Sequence, residues 1–165
     1  MSTCSGGQLR DNSTQRCVSL CPINPSYWAD LTTHTCVYTC PLNYFASSQT
    51  DRLCVSGCSG YLTFGDINAR VCTNICPFNY YADNSTYLCV LVCPSTPDYY
   101  ADNTSVSCVK NCPKTANWIT YADPTTRQCV TECPSGYFAR NDTQRCVQTC
   151  PSGSYADPII RICVL

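Results

Sequence analysis

Thiols are the most abundant reactive groups in this chain, and their spacing is regular. Eighteen of the 165 residues are cysteine. Eight CxxxC pairs account for all but two of them: Cys17 and Cys21, Cys36 and Cys40, Cys54 and Cys58, Cys72 and Cys76, Cys89 and Cys93, Cys108 and Cys112, Cys129 and Cys133, Cys146 and Cys150. Cys4 and Cys163 stand alone. Clustered thiols do one of two things: they oxidise to disulfides or they ligate a metal as thiolates. CxxxC lies within the spacing range of zinc-binding pairs, yet the chain offers a single histidine, His34, beside eight pairs. Val follows the first cysteine of every pair except Cys72, and Pro follows the second of every pair except Cys58. That pattern describes structure rather than a coordination shell. A cysteine content of about 11% marks a disulfide scaffold made in an oxidising compartment. No metal and no cofactor is expected.

The second candidate chemistry is modification of side-chain amides. Asn12, Asn84, Asn103 and Asn141 each begin an AsnXaaSer/Thr sequon, and each lies five residues before a cysteine. The sequon is an acceptor for N-linked glycan in a secreted protein, and a turn tip is where a bulky sugar is reached and tolerated. Asn74, in AsnIleCys, is discounted because Cys76 is committed to a bridge. Asp recurs six residues before the cysteine in seven of nine loops, Asp83, Asp102 and Asp123 among them. One carboxylate per loop lacks the dense oxygen set that calcium requires and is more simply a turn-forming side chain. His34 sits among threonines with no nucleophile or acid to work with, so no enzymatic activity is expected.

These residues belong to a repeat of 17 to 21 residues: CVxxCP, an aromatic pair, a small residue, Asp, a turn, and the next cysteine. Two disulfide patterns fit it. Pairs closed on themselves would leave Cys4 and Cys163 unpaired at opposite ends. Bonding the second cysteine of each pair to the first of the next absorbs both, giving loops 4–17, 21–36, 40–54, 58–72, 76–89, 93–108, 112–129, 133–146 and 150–163. The sequential pattern is the expected one, and each bridge closes a loop that the chain-entropy model values at about 3 kcal/mol. AspAsn and AspPro suit the start of a type I turn, and β-prone runs such as Tyr80 and Tyr81 or Tyr87, Leu88 and Val90 flank it. The fold class is therefore small, disulfide-rich β: an elongated tandem array of about nine single-disulfide hairpin modules over residues 1–165, one continuous array with no common hydrophobic core. Leu, Ile, Val and Phe make up about 19% of the chain, too little for one shared interior. Tyr27, Trp28, Tyr99, Tyr100 and Trp118 are expected to pack on neighbouring disulfides.

A formal net charge of −1 gives no basic surface for nucleic acid. No apolar run approaches the roughly eighteen residues of a membrane span. MSTCSGGQLR has neither the charged start nor the apolar stretch of a signal peptide, so the secretion signal is expected to lie outside this sequence, with the protein extracellular or at the cell surface.

The phrases CVTECPSGYFARNDTQRC and CVLVCPSTPDYYADNTSVSC resemble furin-like, growth-factor-receptor cysteine-rich repeats. The combination of CP, aromatic pair, AlaAsp turn and CV is similar to tandem cysteine-rich surface proteins of ciliates and other protists. The resemblance implies a rod of single-disulfide modules with the same sequential bridging. The two-disulfide modules and globular ligand-binding domains of the receptors have no counterpart here, and Ser59 and Thr73 make loop 58–72 the most divergent unit. The expected function is that of a structural extracellular glycoprotein, a disulfide-stapled rod carrying covalent N-glycans in a cell-surface coat or glycan-covered fibril. Its expected partner is itself, end to end in a filament or as continuation of a longer repeat chain. The alternative is the stalk or ligand-binding ectodomain of a cysteine-rich receptor or adhesion protein. A protease inhibitor is a distant third, since no reactive loop stands out from the rest.

Overall fold

The computed structural model describes residues 4–61 and 63–164. Their regular structure consists of strands two or three residues long, and none of the described residues is helical. Nine disulfides follow the sequential pattern: Cys4–Cys17, Cys21–Cys36, Cys40–Cys54, Cys58–Cys72, Cys76–Cys89, Cys93–Cys108, Cys112–Cys129, Cys133–Cys146 and Cys150–Cys163. None of the described cysteines is free. Each bridge defines a module, numbered 1 to 9 along the chain.

Module 6 shows how the sequence builds one. Strands Tyr100–Asp102 and Ser107–Val109 pair antiparallel as Tyr100↔Val109, Ala101↔Cys108 and Asp102↔Ser107. The same three rungs recur in modules 1, 2, 4, 7, 8 and 9. Module 3 has Ser48 where the others favour Asp, and keeps two rungs. The Pro after the second cysteine opens a separate turn in which its carbonyl accepts the amide three residues on, as from Tyr44 to Pro41 and from Tyr137 to Pro134. Its third residue, Asn43 or Gly136, has positive φ, the conformation a type II turn demands there.

A second positive φ was not evident in the sequence. The residue two before the closing cysteine is left-handed in every module: Gln15, His34, Arg52, Arg70, Tyr87, Val106, Arg127, Gln144 and Arg161, with φ between 52° and 61°. Glycine, the residue best suited to this conformation, occurs at none of them.

In modules 2 to 9 the conformation serves the joint with the preceding module. The chain folds as two compact units, Met1–Phe78 with Ser85–Cys89, and Asn79–Asn84 with Val90–Leu165. In the first, the amides of Arg10, Ala29, Ala46 and Gly65 donate to the carbonyls of His34, Arg52, Arg70 and Tyr87. In the second, the amides of Ala82, Ala101, Ala122 and Ala139 donate to those of Val106, Arg127, Gln144 and Arg161. All eight bonds measure 2.8–3.0 Å. Each runs from the middle of one module's first strand to the left-handed residue of the next, so the unusual φ aims a carbonyl backwards at the preceding module. A parallel bridge accompanies it, such as Arg10↔Thr35, Leu88↔Gly65 and Ala101↔Gln128.

Side chains pack around the same joint. In the second unit, Tyr81 covers Ala101 and the Cys93–Cys108 bridge, Tyr100 covers Ala122 and Cys112–Cys129, and Tyr121 covers Ala139 and Cys133–Cys146. In the first, Leu9 plays this part for Ala29 and Cys21–Cys36, and Trp28 for Ala46 and Cys40–Cys54. Each small core thus consists of a module's own disulfide and alanine under the aromatic or apolar residue of the module before it. Neither unit has a single larger interior. The expectation for Tyr100 and Trp28 holds in this form, whereas Trp118 is 37% exposed and belongs to none of these clusters.

Candidate functional site: the turn tips

In seven of the nine modules the hairpin tip carries an aspartate. Asp11, Asp30, Asp83, Asp102 and Asp123 are all at most 3% exposed, which places their carboxylates under the turn rather than at its surface. A buried carboxylate needs donors, and the turn supplies them. Asp30 Oδ1 accepts from the amide and the hydroxyl of Thr32, and Oδ2 from the Thr33 hydroxyl at 2.7 Å. Asp123 is held in the same way by Thr125 and Thr126, and Asp11 by Ser13 and Thr14. Asp102 accepts from the amides of Thr104 and Ser105 and the Ser105 hydroxyl. The turn-forming reading of these aspartates accounts for their recurrence.

The donors set the acidity. The hydroxyls of Thr14 and Ser13 hold the Asp11 carboxyl below its ordinary value against the opposing effect of burial. At Asp30 and Asp123 burial is the largest single influence and pushes upward, but the threonine hydroxyls and amides together outweigh it, and both carboxyls end low.

This arrangement changes what the sequon register means. The third residue of the sequons at Asn12 and Asn103 is Thr14 or Ser105, and its hydroxyl is a ligand of the buried aspartate. Modules 2 and 7 have the same Ser/Thr pattern with Leu31 or Pro124 in place of the asparagine. Turn chemistry therefore explains the hydroxyl by itself, and register alone says nothing of glycan. Module 8 differs. Arg140 stands where the aspartate would be, its guanidinium pairs with Asp142, and Asn141-Asp142-Thr143 is retained without an aspartate six residues before Cys146.

All four asparagines, Asn12, Asn84, Asn103 and Asn141, are exposed. Two of them are also oriented. Tyr81 donates its hydroxyl to Asn103 Oδ1 and Tyr121 to Asn141 Oδ1, each at 2.6 Å. Both tyrosines are buried in the joint, and burial pushes the Tyr121 phenol up, which keeps it a donor. With Oδ1 engaged, the planar amide directs Nδ2, the nitrogen that would carry sugar, away from the tyrosine.

A further set of residues escaped sequence reasoning. Four of the side chains at the left-handed positions reach back to carbonyls of the preceding module. The guanidinium of Arg52 donates to Pro22 and Tyr27, that of Arg127 to Pro94 and Tyr99, and that of Arg70 to Cys40 at 2.9 Å. Gln144 donates to Cys112 at 3.0 Å. Arg127 also pairs with Asp98 at 3.0 Å and lies 4.7 Å from the Tyr100 ring centroid. The available signal was the recurrence of Arg or Gln two residues before the closing cysteine in six of nine modules. His34 occupies this same position, and its carbonyl joins modules 1 and 2.

No family model matches the chain, and neither a curated protein nor a solved structure shows a significant likeness to it. Nine tandem disulfides and repeated strand pairs identify a cysteine-rich repeat protein, suited to an oxidising compartment. No helix among the described residues is long and apolar enough to cross a membrane.

Proposed function

We propose that this chain is a structural extracellular glycoprotein, a disulfide-stapled rod of furin-like repeats that displays N-glycans in a surface coat or a sugar-covered fibril. Its role in this reading is mechanical rather than enzymatic. The supporting observation is a division of labour. Disulfides, alanines, tyrosines and left-handed carbonyls all serve the joints, while the asparagine-bearing tips face solvent. Glycan transfer would join Nδ2 of each asparagine to the anomeric carbon of an oligosaccharide, with an amide proton lost and the sugar leaving its lipid-pyrophosphate carrier.

We read the joint also as the surface for end-to-end association with a second copy. Tyr155 is 75% exposed, although its counterparts Tyr81, Tyr100 and Tyr121 are buried by the module that follows each. In module 1, Cys17 is likewise exposed. Tyr155 presents one half of the joint that recurs inside the chain, while in module 1 Arg10 takes the place of the alanine of the other half.

Non-reducing peptide mapping of protein secreted from eukaryotic cells tests the reading. Glycopeptides at Asn12, Asn84, Asn103 and Asn141 are the expected result, and four bare asparagines would refute it. Electron microscopy of native material separates coat or fibril from the alternative, a receptor or adhesion stalk. That alternative draws support from exposed Leu20, Ile23, Leu42 and Phe78 in the first unit, which would suit a protein partner. Short, uniform particles would favour it.

A further inference from the structure

Module 7 is the longest, its cysteines separated by 17 positions in sequence, and its extra length has a defined structure. Lys114 and Ile119 form an antiparallel bridge. The Thr115 amide donates to the Trp118 carbonyl at 2.8 Å, and the Trp118 amide to the Thr115 hydroxyl at 3.2 Å. Ile119 packs into the joint with module 8, but Trp118 does not, and its indole stays 37% exposed. An ordered turn that holds a large aromatic out of the core positions it for something outside the polypeptide, since burial is the default for a ring of this size.

That ring borders an open groove of about 500 Å³, lined also by Asn103, Thr104, Thr131 and Glu132. Asn103 is one of the two asparagines whose amide is oriented by a tyrosine of the preceding module. A tethered sugar acceptor, an exposed indole and polar side chains at the margin therefore share one surface, within the size range of small-ligand sites. A pyranose has an apolar C–H face and a rim of hydroxyls, which matches an aromatic platform edged by Thr131 and Glu132.

We propose that the N-glycan on Asn103 folds back onto its own protein, with the C–H face of its first N-acetylhexosamine against Trp118 and its hydroxyls toward Thr131 and Glu132. This rests on the glycosylation reading above. It makes Asn103 a site where the sugar is held in one orientation.

The test is collisional quenching of tryptophan fluorescence in secreted, fully oxidised protein, with Trp118→Phe subtracted to isolate Trp118 from Trp28. Samples are compared intact, after an endoglycosidase that leaves one sugar on the asparagine, and after an amidase that removes it all. Glycopeptide mapping of the same samples reports whether Asn103 was modified. The expected result is a roughly twofold rise in the Trp118 quenching constant with the amidase and little change with the endoglycosidase, because the first ring supplies the cover. A modified Asn103 with no change in quenching overturns this proposal and leaves the glycoprotein reading standing. An unmodified Asn103 beside modified Asn12, Asn84 and Asn141 overturns this proposal alone. Four unmodified asparagines overturn both.

Discussion

Gly65 stands where seven other modules carry alanine, and the residue before it in space explains why. A Cβ built on Gly65 would lie 2.6 Å from the Cε1 and Cζ atoms of Phe45, so the bulkier ring of module 3 fits only because its neighbour lacks a methyl. Gly65→Ala should therefore destabilise by about 1–3 kcal/mol through overpacking, read as a lower denaturant midpoint. Phe45→Leu should recover part of that loss in the double variant. The left-handed residues divide by what their side chains do. Val106 is β-branched at φ 52° and 37% exposed, a costly conformation for that residue type, so Val106→Gly should stabilise by about 1 kcal/mol. Arg127 has a comparable φ but binds two carbonyls, and Arg127→Gly should instead cost about 2 kcal/mol. Chemical denaturation of the two variants gives opposite signs. If both stabilise, the guanidinium contacts are worth less than the backbone strain. The buried aspartates make a third prediction at this scale. The folded carboxyls of Asp11, Asp30 and Asp123 titrate below the ordinary value of 3.8, so they bind protons more weakly folded than unfolded. Their contribution is fully present above the unfolded value and is lost as the pH falls through the lower folded ones. Melting temperature should fall on acidification below about pH 4, and Asp30→Asn with Asp123→Asn should flatten that acid limb while lowering the plateau.

At the scale of elements, the hairpin was legible because its determinants are side chains with fixed spacing: the cysteines, the aromatic–Ala–Asp run, and Pro after each bridge. The sequential pairing, the short strands and the packing of Trp28 and Tyr100 on neighbouring disulfides could all be read from them. The joint was less legible because its central bond is backbone to backbone. An amide of Ala101 meeting a carbonyl of Arg127 leaves no mark on residue type, and the left-handed positions hold Gln, His, Arg, Tyr and Val rather than the Gly or Asn that usually betray positive φ. Arg52, Arg70, Arg127 and Gln144 reach the previous module from there, a long-range role that no local propensity contains. The sequons show the opposite difficulty. Their register was conspicuous, yet Thr33 and Thr126 in modules without a sequon show that the hydroxyls serve the aspartates first.

For the whole molecule, stability organised around nine bridges and nearest-neighbour joints predicts loss in steps rather than all at once. In a repeat array each module is supported only by those beside it, and a disulfide is reduced at a rate set by access of the attacking thiolate. Burial then ranks the bridges. Cys40 is fully buried and Cys54 7% exposed, and Cys93 and Cys108 are at 3% and 4%. Cys17 is exposed, and Cys150 and Cys163 are partly so. Under limiting reductant, Cys4–Cys17 and Cys150–Cys163 should open first, and Cys40–Cys54 and Cys93–Cys108 last, with each opened module uncovering its neighbour's bridge for the next attack. Timed reduction, alkylation and peptide mapping would display this order as labels spreading inward from modules 1 and 9. Simultaneous labelling of all nine bridges would mean that the modules melt as one cooperative body, and the account of local joints as the source of stability would have to be given up.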